Sequence, residues 1–403
     1  MIINASIFFG FLLGGYLIVR KISLEKLGRK GIVLLPLLLL GSASLVEYGI
    51  NILQNESDIK SSTSWRDIDP ITRAKATLPS GFKIETVIPD QELSFPTSIA
   101  QGDNGEVYIS TAQGILIVDQ ELQRVREFAP DITQVLGSDF KDGSLYVSTK
   151  GSVIKLTDTN GNGKADNSEE IISGLPHQVY TNHTNNGITF GPDGLLYMTL
   201  GSTSDHGPEE SDIAGSVLVA NRDGTELSVY ARGFRNPFDL TFCPDGNLFV
   251  TDNGPDLLDF EGNNKLVYRP PDELNLVQKG KDYGYPEFFG HSPPWTETES
   301  PIAIFPMSAA VTGVACYDGE SFPKEYKGNL FVTQWGSMVI PEETGHKLVR
   351  VELEKKGDYI LGTVHDFADL WRPIDVIVYT DGSLLVLDLE AFKMYRISYT
   401  QLN

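Results

Sequence analysis

Along most of the chain, short apolar runs alternate with polar turns, and one such unit recurs six times. "DNGEVYIST" begins at Asp103, "KDGSLYVST" at Lys141, "PDGLLYMTL" at Pro192, "PDGNLFVTD" at Pro244, "KGNLFVTQW" at Lys327 and "TDGSLLVLD" at Thr380. Each is a glycine-containing turn followed by a short apolar or alternating run, the signature of a hairpin leading into a half-buried strand. Four of the five intervals are about 40 to 55 residues, the length of a four-stranded sheet with its loops. The fifth, from Gly246 to Gly328, is lengthened by one large insertion. Helical periodicity is scarce. The pattern predicts an all-β, six-bladed β-propeller, because radial repetition buries each sheet face against its neighbours and leaves few exposed edges. An open β-solenoid and a pair of β-sandwiches are the competing arrangements. "GFKIETVIPD", from Gly81 to Asp90, is a candidate strand to close the ring with the C-terminal blade.

The N-terminus has a different pattern. Ile2 to Val19 is apolar, uncharged and just long enough to cross a bilayer as a helix. A second run, Ile32 to Val46, is shorter and contains Pro36. Between them, Arg20 to Lys30 carries five basic residues against one acidic. The positive-inside rule keeps that loop in the cytoplasm, which places the downstream domain on the outer, periplasmic or extracellular, face. A rival reading makes the second run a signal peptide with "SAS" at 42 to 44 as its cleavage site; it exports the domain equally. A buried soluble hairpin is the third possibility. Residues 1–54 are thus read as a membrane-anchoring helical segment, 55–77 as a linker and 78–403 as the propeller.

Composition narrows the partners. The chain of 403 residues is 41% apolar and 21% charged, the balance of a folded domain with a sizeable core. A formal charge of −22 argues against nucleic acid and against broad contact with anionic lipid. Cys243 and Cys316 are too few for a disulfide framework and have no zinc-like spacing, so both are expected to be buried thiols, with a disulfide as the alternative.

The sharpest local motif is "DTNGNGKADNSEE", from Asp158 to Glu170. It fits the calcium-loop pattern, with side-chain oxygens from Asp158, Asn160, Asn162, Asp166 and Glu169, a carbonyl from Lys164 and a sharp turn at Gly163. An Asn-Gly-rich hairpin end that needs no ion is the alternative. His183 precedes the third repeat, where an imidazole titrating near neutrality could act as a general base or merely finish a turn. "GFRNPFDL", from Gly233, and "TDNGPDLLD", from Thr251, flank the fourth repeat. Arg235 offers a fork of donors suited to a carboxylate, Asn236 can bond a carbonyl or amide, and Gly254 and Pro255 expose carbonyls where a loop turns. Each of these also reads as ordinary loop structure.

Taken in order, these stretches resemble the soluble quinoprotein glucose dehydrogenases and the related aldose sugar and sorbosone dehydrogenases that depend on pyrroloquinoline quinone (PQQ). The resemblance covers roughly Leu78 to Ile397. "HTNNGITFGPDG" is similar to the family's stretch around its catalytic histidine, which implies His183 as base. "GFRNP" resembles its quinone-binding motif, implying Arg235 and Asn236; "WRPID" implies Arg372 as a further quinone contact. "NGP" at 253 to 255 falls where the family holds Ca²⁺ on Gly and Pro carbonyls, and "DELNLVQKGKDYGYP" from Asp272 matches another signature. The resemblance implies oxidation of a sugar or polyol hydroxyl with PQQ and Ca²⁺, the electrons passing to an external acceptor.

Three positions depart from the family's pattern. Asn182 stands where the glucose-oxidising members place an acid before the histidine, Gly336 where they have a quinone-contacting lysine, and Ile374 where they have a second arginine. Lys347, Arg350 and His346 are the candidates to compensate. These departures keep an alternative open: a non-catalytic propeller acting as an exported, membrane-anchored binding module. A metal-dependent lactonase would need a convergent Glu/Asn/Asp cluster, which the sequence does not assign.

Overall fold

The computed structural model describes residues 68–177, 183–204, 209–255, 259–260, 266–267, 270–337, 344–357 and 359–400. The two apolar N-terminal runs and residues 55–67 of the linker lie outside them. Among the described residues, no helix is long and apolar enough to cross a membrane.

Six four-stranded antiparallel sheets form the blades of a β-propeller. Blade 1 spans residues 98–129, blade 2 residues 135–172, blade 3 residues 185–232, blade 4 residues 237–305 and blade 5 residues 311–369. Blade 6 takes Pro373–Val378, Leu384–Asp388 and Lys393–Tyr399, and its outer strand is Phe82–Val87. The strand expected near Gly81 therefore does close the ring, tying the two ends of the domain together. In every blade the first strand is innermost, and the six inner strands neighbour one another around the axis. Each inner strand starts at the same end of the ring, called the mouth below, and each second strand returns there.

The six repeats are these second strands, and they differ from expectation in one respect. Leu196–Leu200, Leu248–Asp252, Leu330–Gln334 and Leu384–Asp388 are buried on both faces rather than half-buried, because each blade is sandwiched between two others. The turns before them need glycine: Gly194, Gly246, Gly328 and Gly382 all have φ between +79° and +86°. The large insertion in blade 4 is divided between the connection after Asp252 and a loop over residues 278–302.

Two devices hold neighbouring blades together. Asp139, Asp239 and Asp375 sit on the inner strands of blades 2, 4 and 6, and each accepts a hydrogen bond from a backbone N–H of the following blade: Phe190, Val314 and Ile99, at 2.9, 2.8 and 2.8 Å. A Cβ on Gly187 or Gly313 would stand 2.6 Å from a carboxylate oxygen of Asp239 or Asp375, so glycine permits that approach. The second device corrects the expectation of free thiols. Cys243 and Cys316 form a disulfide, with Cα atoms 5.3 Å apart, joining blades 4 and 5 at the end opposite the mouth. The two residues are 73 positions apart in the chain, but both end inner strands that lie side by side.

Residues 70–77, expected as the end of a linker, form a helix, Pro70–Thr77. Asp69 caps it by accepting from Thr72 N, and Pro70 occupies its first turn, where no N–H is needed. Ala74 and Ile71 pack on the aromatic cluster of Phe322, Tyr326, Phe331 and Phe367 that closes blade 5 onto blade 6. Trp371 Nε1 donates to Ile68 O at 3.0 Å, which fixes the start of the helix beside the mouth.

Candidate active site at the mouth of the propeller

Two loops at the mouth each deliver an arginine within two residues of an inner strand that starts with proline. Residues 233–236 lead into Pro237–Phe242 of blade 4, and Trp371–Arg372 lead into Pro373–Val378 of blade 6. Proline is tolerated as the first residue of a strand, and it biases the residue before it toward extended backbone. Arg235, Asn236 and Arg372 are all buried.

Arg235 donates from Nη1 to the carbonyls of Asn253 and Gly254, at 3.2 and 2.9 Å. Beneath it, Asp252 accepts from the backbone N–H of Arg235 and Asn236, at 3.1 and 2.7 Å. Burial lifts the Asp252 carboxyl to about 7, against the hydrogen bonds and the Arg235 charge that hold it down. Burial and the Asp252 charge lift Glu273, on the adjoining strand, to about 8. Arg372 makes an ion pair from Nε to Glu390 at 2.7 Å, donates from Nη1 to Gly336 O at 3.2 Å, and lies 4.0 Å from the centre of the Trp335 ring. Asp388 lies beneath it, accepting from the N–H groups of Trp371 and Arg372.

His183 is buried in the loop before Asn185–Phe190 of blade 3, also at the mouth. A Cβ on Gly201 would lie 2.9 Å from His183 Cα and 3.0 Å from Asn236 Oδ1, so this glycine lets the histidine loop meet the Arg235 loop. Asn186 bridges the same two blades through Asn236 Oδ1 and Pro237 O, at 3.1 and 2.9 Å. The arc continues to blade 5 through Asn253 Nδ2, which donates to Val311 O at 2.9 Å, and through Trp335 N, which donates to Ala310 O at 2.8 Å. His183, Arg235, Asn236, Gly254, buried Pro255 and Arg372 therefore belong to one rim running over blades 3 to 6.

The calcium-like loop does not. It joins the third and fourth strands of blade 2 after Thr157, at the end opposite the mouth. Asp158 accepts from the N–H groups of Gly161, Asn162 and Gly163, and Asp166 from Thr159 N and Asn160 Nδ2. Asn160 Oδ1 accepts from Asn162 N, and Asn162 Oδ1 from Lys164 N. Glu169 stands on the fourth strand, opposite Lys155. The loop closes on its own hydrogen bonds. Among the described residues no group of three or more His, Cys, Asp or Glu is placed to hold a metal ion.

The departing positions resolve differently. Asn182 lies outside the described residues. Ile374 is buried in the apolar cluster with Leu385 and Leu387. Gly336, at φ +97°, lies against the His346 ring; a Cβ there would be 2.4 Å from it. His346 Nδ1 lies 2.6 Å from Trp371 O, so that imidazole packs beside the Arg372 loop. Lys347 and Arg350 pair instead with Asp366 and Glu352. Asp252, Asp388, Trp335 and Glu390 were not singled out from the sequence. The one signal was that only the fourth and sixth repeats, "LFVTD" and "LLVLD", finish the second strand on aspartate.

The donor set fits an anionic quinone and an oxygen-seeking cation. Two guanidinium groups at one buried rim suit carboxylates. Asn186 Oδ1, next to Asn236, is a buried oxygen with no hydrogen-bond partner among the described residues. The carbonyls of Asn253 and Gly254 already converge on a positive group, and carbonyl oxygens are the ligands a hard cation takes.

The sequence profile described as Glucose / Sorbosone dehydrogenase matches residues 142–392. An uncharacterised protein of Borreliella burgdorferi is 26% identical over 355 residues, 81% of this chain and 91% of that protein. Aldose sugar dehydrogenase YliI of Escherichia coli is 23% identical over 227 residues, 49% of this chain and 55% of that one. Among solved structures, the PQQ-bound aldose sugar dehydrogenase of Streptomyces coelicolor superposes with a TM-score of 0.62 at 19% identity, covering 80% of this chain and all of that one.

Proposed function

This chain belongs to the glucose/sorbosone dehydrogenase family, and we propose that it oxidises a sugar or polyol hydroxyl with PQQ as cofactor. The observation that carries this reading is the buried rim on which His183, Asn236, Arg235 and Arg372 stand together. Arg235 and Arg372 would hold the carboxylates of the quinone, with Asn236 bonding it beside them. The carbonyls of Gly254 and Pro255 would hold Ca²⁺. PQQ with Ca²⁺ would supply there a two-electron acceptor for the hydride leaving the carbinol carbon. His183 takes the hydroxyl proton as the C–O bond becomes a carbonyl, and burial of the rim keeps water from competing for that base. Both electrons would then pass to an external acceptor, with release of two protons, one from the hydroxyl and one carried with the hydride. The loop at Asp158 takes no part in this chemistry.

The domain works outside the cytoplasm, the first 54 residues serving as anchor or export signal. The Cys243–Cys316 disulfide supports this, since such bonds persist in oxidising compartments. Calcium-dependent binding of PQQ to the purified protein, followed by reduction of a dye on a panel of aldoses and polyols, tests the reading. His183→Ala should abolish turnover by about 100-fold or more while leaving quinone affinity within about twofold. Saturable binding without turnover on any substrate would overturn the dehydrogenase reading. One observation favours the non-catalytic alternative: Glu390 already matches the charge of Arg372. No quinone binding by folded protein would establish that alternative.

A further inference from the structure

The two arginine loops share a feature that the other four blades lack. In each blade the last residue of the second strand lies at the mouth, beside the start of the inner strand. That residue is Thr111 in blade 1, Thr149 in blade 2, Leu200 in blade 3 and Gln334 in blade 5. In blades 4 and 6 it is Asp252, paired with Pro237, and Asp388, paired with Pro373. Thr111 and Thr149 donate their hydroxyls within their own hairpins, to Gly114 O and Ser152 O. The two aspartates instead reach under the loop that precedes the inner strand.

The chemistry of that loop explains why a carboxylate is there. The prolines supply no N–H to the ladder, and the residues before them turn their own N–H groups inward, where water cannot satisfy them. Asp252 takes two such groups, Arg235 N and Asn236 N. Asp388 takes four: Trp371 N at 2.9 Å, Arg372 N at 3.1 Å, Glu390 N at 3.2 Å and Ala391 N at 2.9 Å. A carboxylate accepts through both oxygens, whereas an amide in its place would turn one NH₂ against an N–H donor. Asp388 also fixes the backbone of Glu390, the ion-pair partner of Arg372, so one carboxylate sets both ends of that pair.

We infer that Asp252 and Asp388 are positioning residues, a duplicated carboxylate clamp that fixes the backbones of Arg235 and Arg372 so that their guanidinium groups meet an anionic cofactor in a preset geometry. The inference rests on the functional reading above in naming that cofactor as PQQ. The clamps act through the residues they hold, Arg235 and Asn236 in one loop and Arg372 in the other.

The test has two arms on the full chain. In the first, backbone amide exchange is measured without cofactor for Asp252→Asn and Asp388→Asn. Exchange at Arg235 and Asn236 should quicken about tenfold or more in the first variant and at Trp371 and Arg372 in the second, each loop leaving the other unchanged. Unchanged exchange, or quickening spread over the whole blade, would overturn the clamp. In the second arm, PQQ is titrated by absorbance. Asp252→Asn should weaken binding about tenfold, but by less than about twofold when Arg235 is already lysine and Asn236 already alanine, because the aspartate acts through those two residues. Asp252→Glu, which keeps the charge, should recover part of the affinity, and Thr149→Val, at the matching position of blade 2, should leave it unchanged. An equal loss with and without Arg235 and Asn236 would overturn the positioning role. If wild-type protein binds no PQQ, the functional reading fails. The clamp is then decided by the exchange data alone, with loop-confined quickening sustaining it.

Discussion

The arginine loops of blades 4 and 6 have the same backbone device and different electrostatics. Each carries an arginine before a proline, two residues before it at Arg235 and directly before it at Arg372, then an aspartate two residues past the proline, at Asp239 and Asp375, and each is held from below by a strand-end aspartate. Above the backbone they diverge. The Arg235 guanidinium meets the dipoles of two carbonyls, while Arg372 meets a full negative charge on Glu390 and the face of Trp335. The repeated fold thus reproduces the backbone clamp and leaves the arginine's position and surroundings to each loop. In blade 6 the Glu390 charge already offsets that of Arg372.

Substitutions that remove one side of this pair should therefore have unequal effects. Arg235→Ala should weaken PQQ binding roughly 100-fold, the scale of a buried charge-assisted contact, read by equilibrium titration. Chelation of Ca²⁺ should follow at about 30-fold, because Gly254 and Pro255 adjoin the same loop. Loss of affinity on chelation that persists undiminished in a variant lacking residues 158–169 would confirm that the relevant ion sits at the mouth. Arg372→Ala should cost only about tenfold, since Glu390 already offsets its charge. Glu390→Gln should move in the opposite direction, tightening binding about threefold; a loss instead would show that Glu390 holds Arg372 in place rather than competing for it.

The smallest effect concerns the inner-strand aspartates. Burial lifts Asp239 to about 7 and Asp375 well above the ordinary carboxylate range, each raised further by the neighbouring aspartate. The folded-state value lies above the unfolded one near 3.8, so the folded protein holds a proton that the unfolded chain releases. The stability this contributes is complete below about pH 4 and is lost as pH rises through 7. The melting temperature of the isolated protein should therefore fall by a few degrees between about pH 5 and pH 8. Asp239→Asn, which cannot ionise, should flatten that slope.

Much of the fold was legible because the repeats are the most constrained strands of the molecule. A second strand buried on both faces must be apolar and must follow a tight turn, and both requirements leave marks in the sequence at a readable interval. The closing strand Phe82–Val87, on the outer edge of blade 6, is instead half-buried, with Ile84 and Val87 inside and Lys83 and Glu85 exposed. The helix Pro70–Thr77 was not legible, since a short helix stabilised by docking Ala74 onto a distant aromatic cluster has too few apolar positions to show a period. His183, Arg235, Asn236, Gly254 and Arg372 were readable as candidates from motifs, but the sequence offered no measure of their company. The calcium-like motif shows the converse. Its Asp and Asn residues suit a metal loop and a hydrogen-bonded turn equally, and what the structure adds is the loop's place, at the end opposite the mouth.

What the sequence determined by itself was the repeat: six turn-and-strand units whose apolar runs can be buried only by stacking, hence a ring with a mouth. What only the tertiary structure decided was which residues of different blades share that mouth and on what terms. Cys243 reaches Cys316, Asp252 and Asp388 reach the arginine loops, and Gly336 makes room for His346, each across a gap in sequence that local pattern does not span. The physical reason is that apolar burial is written position by position along a strand, whereas a polar contact depends on where two separate strands end, and that is fixed only when the ring closes.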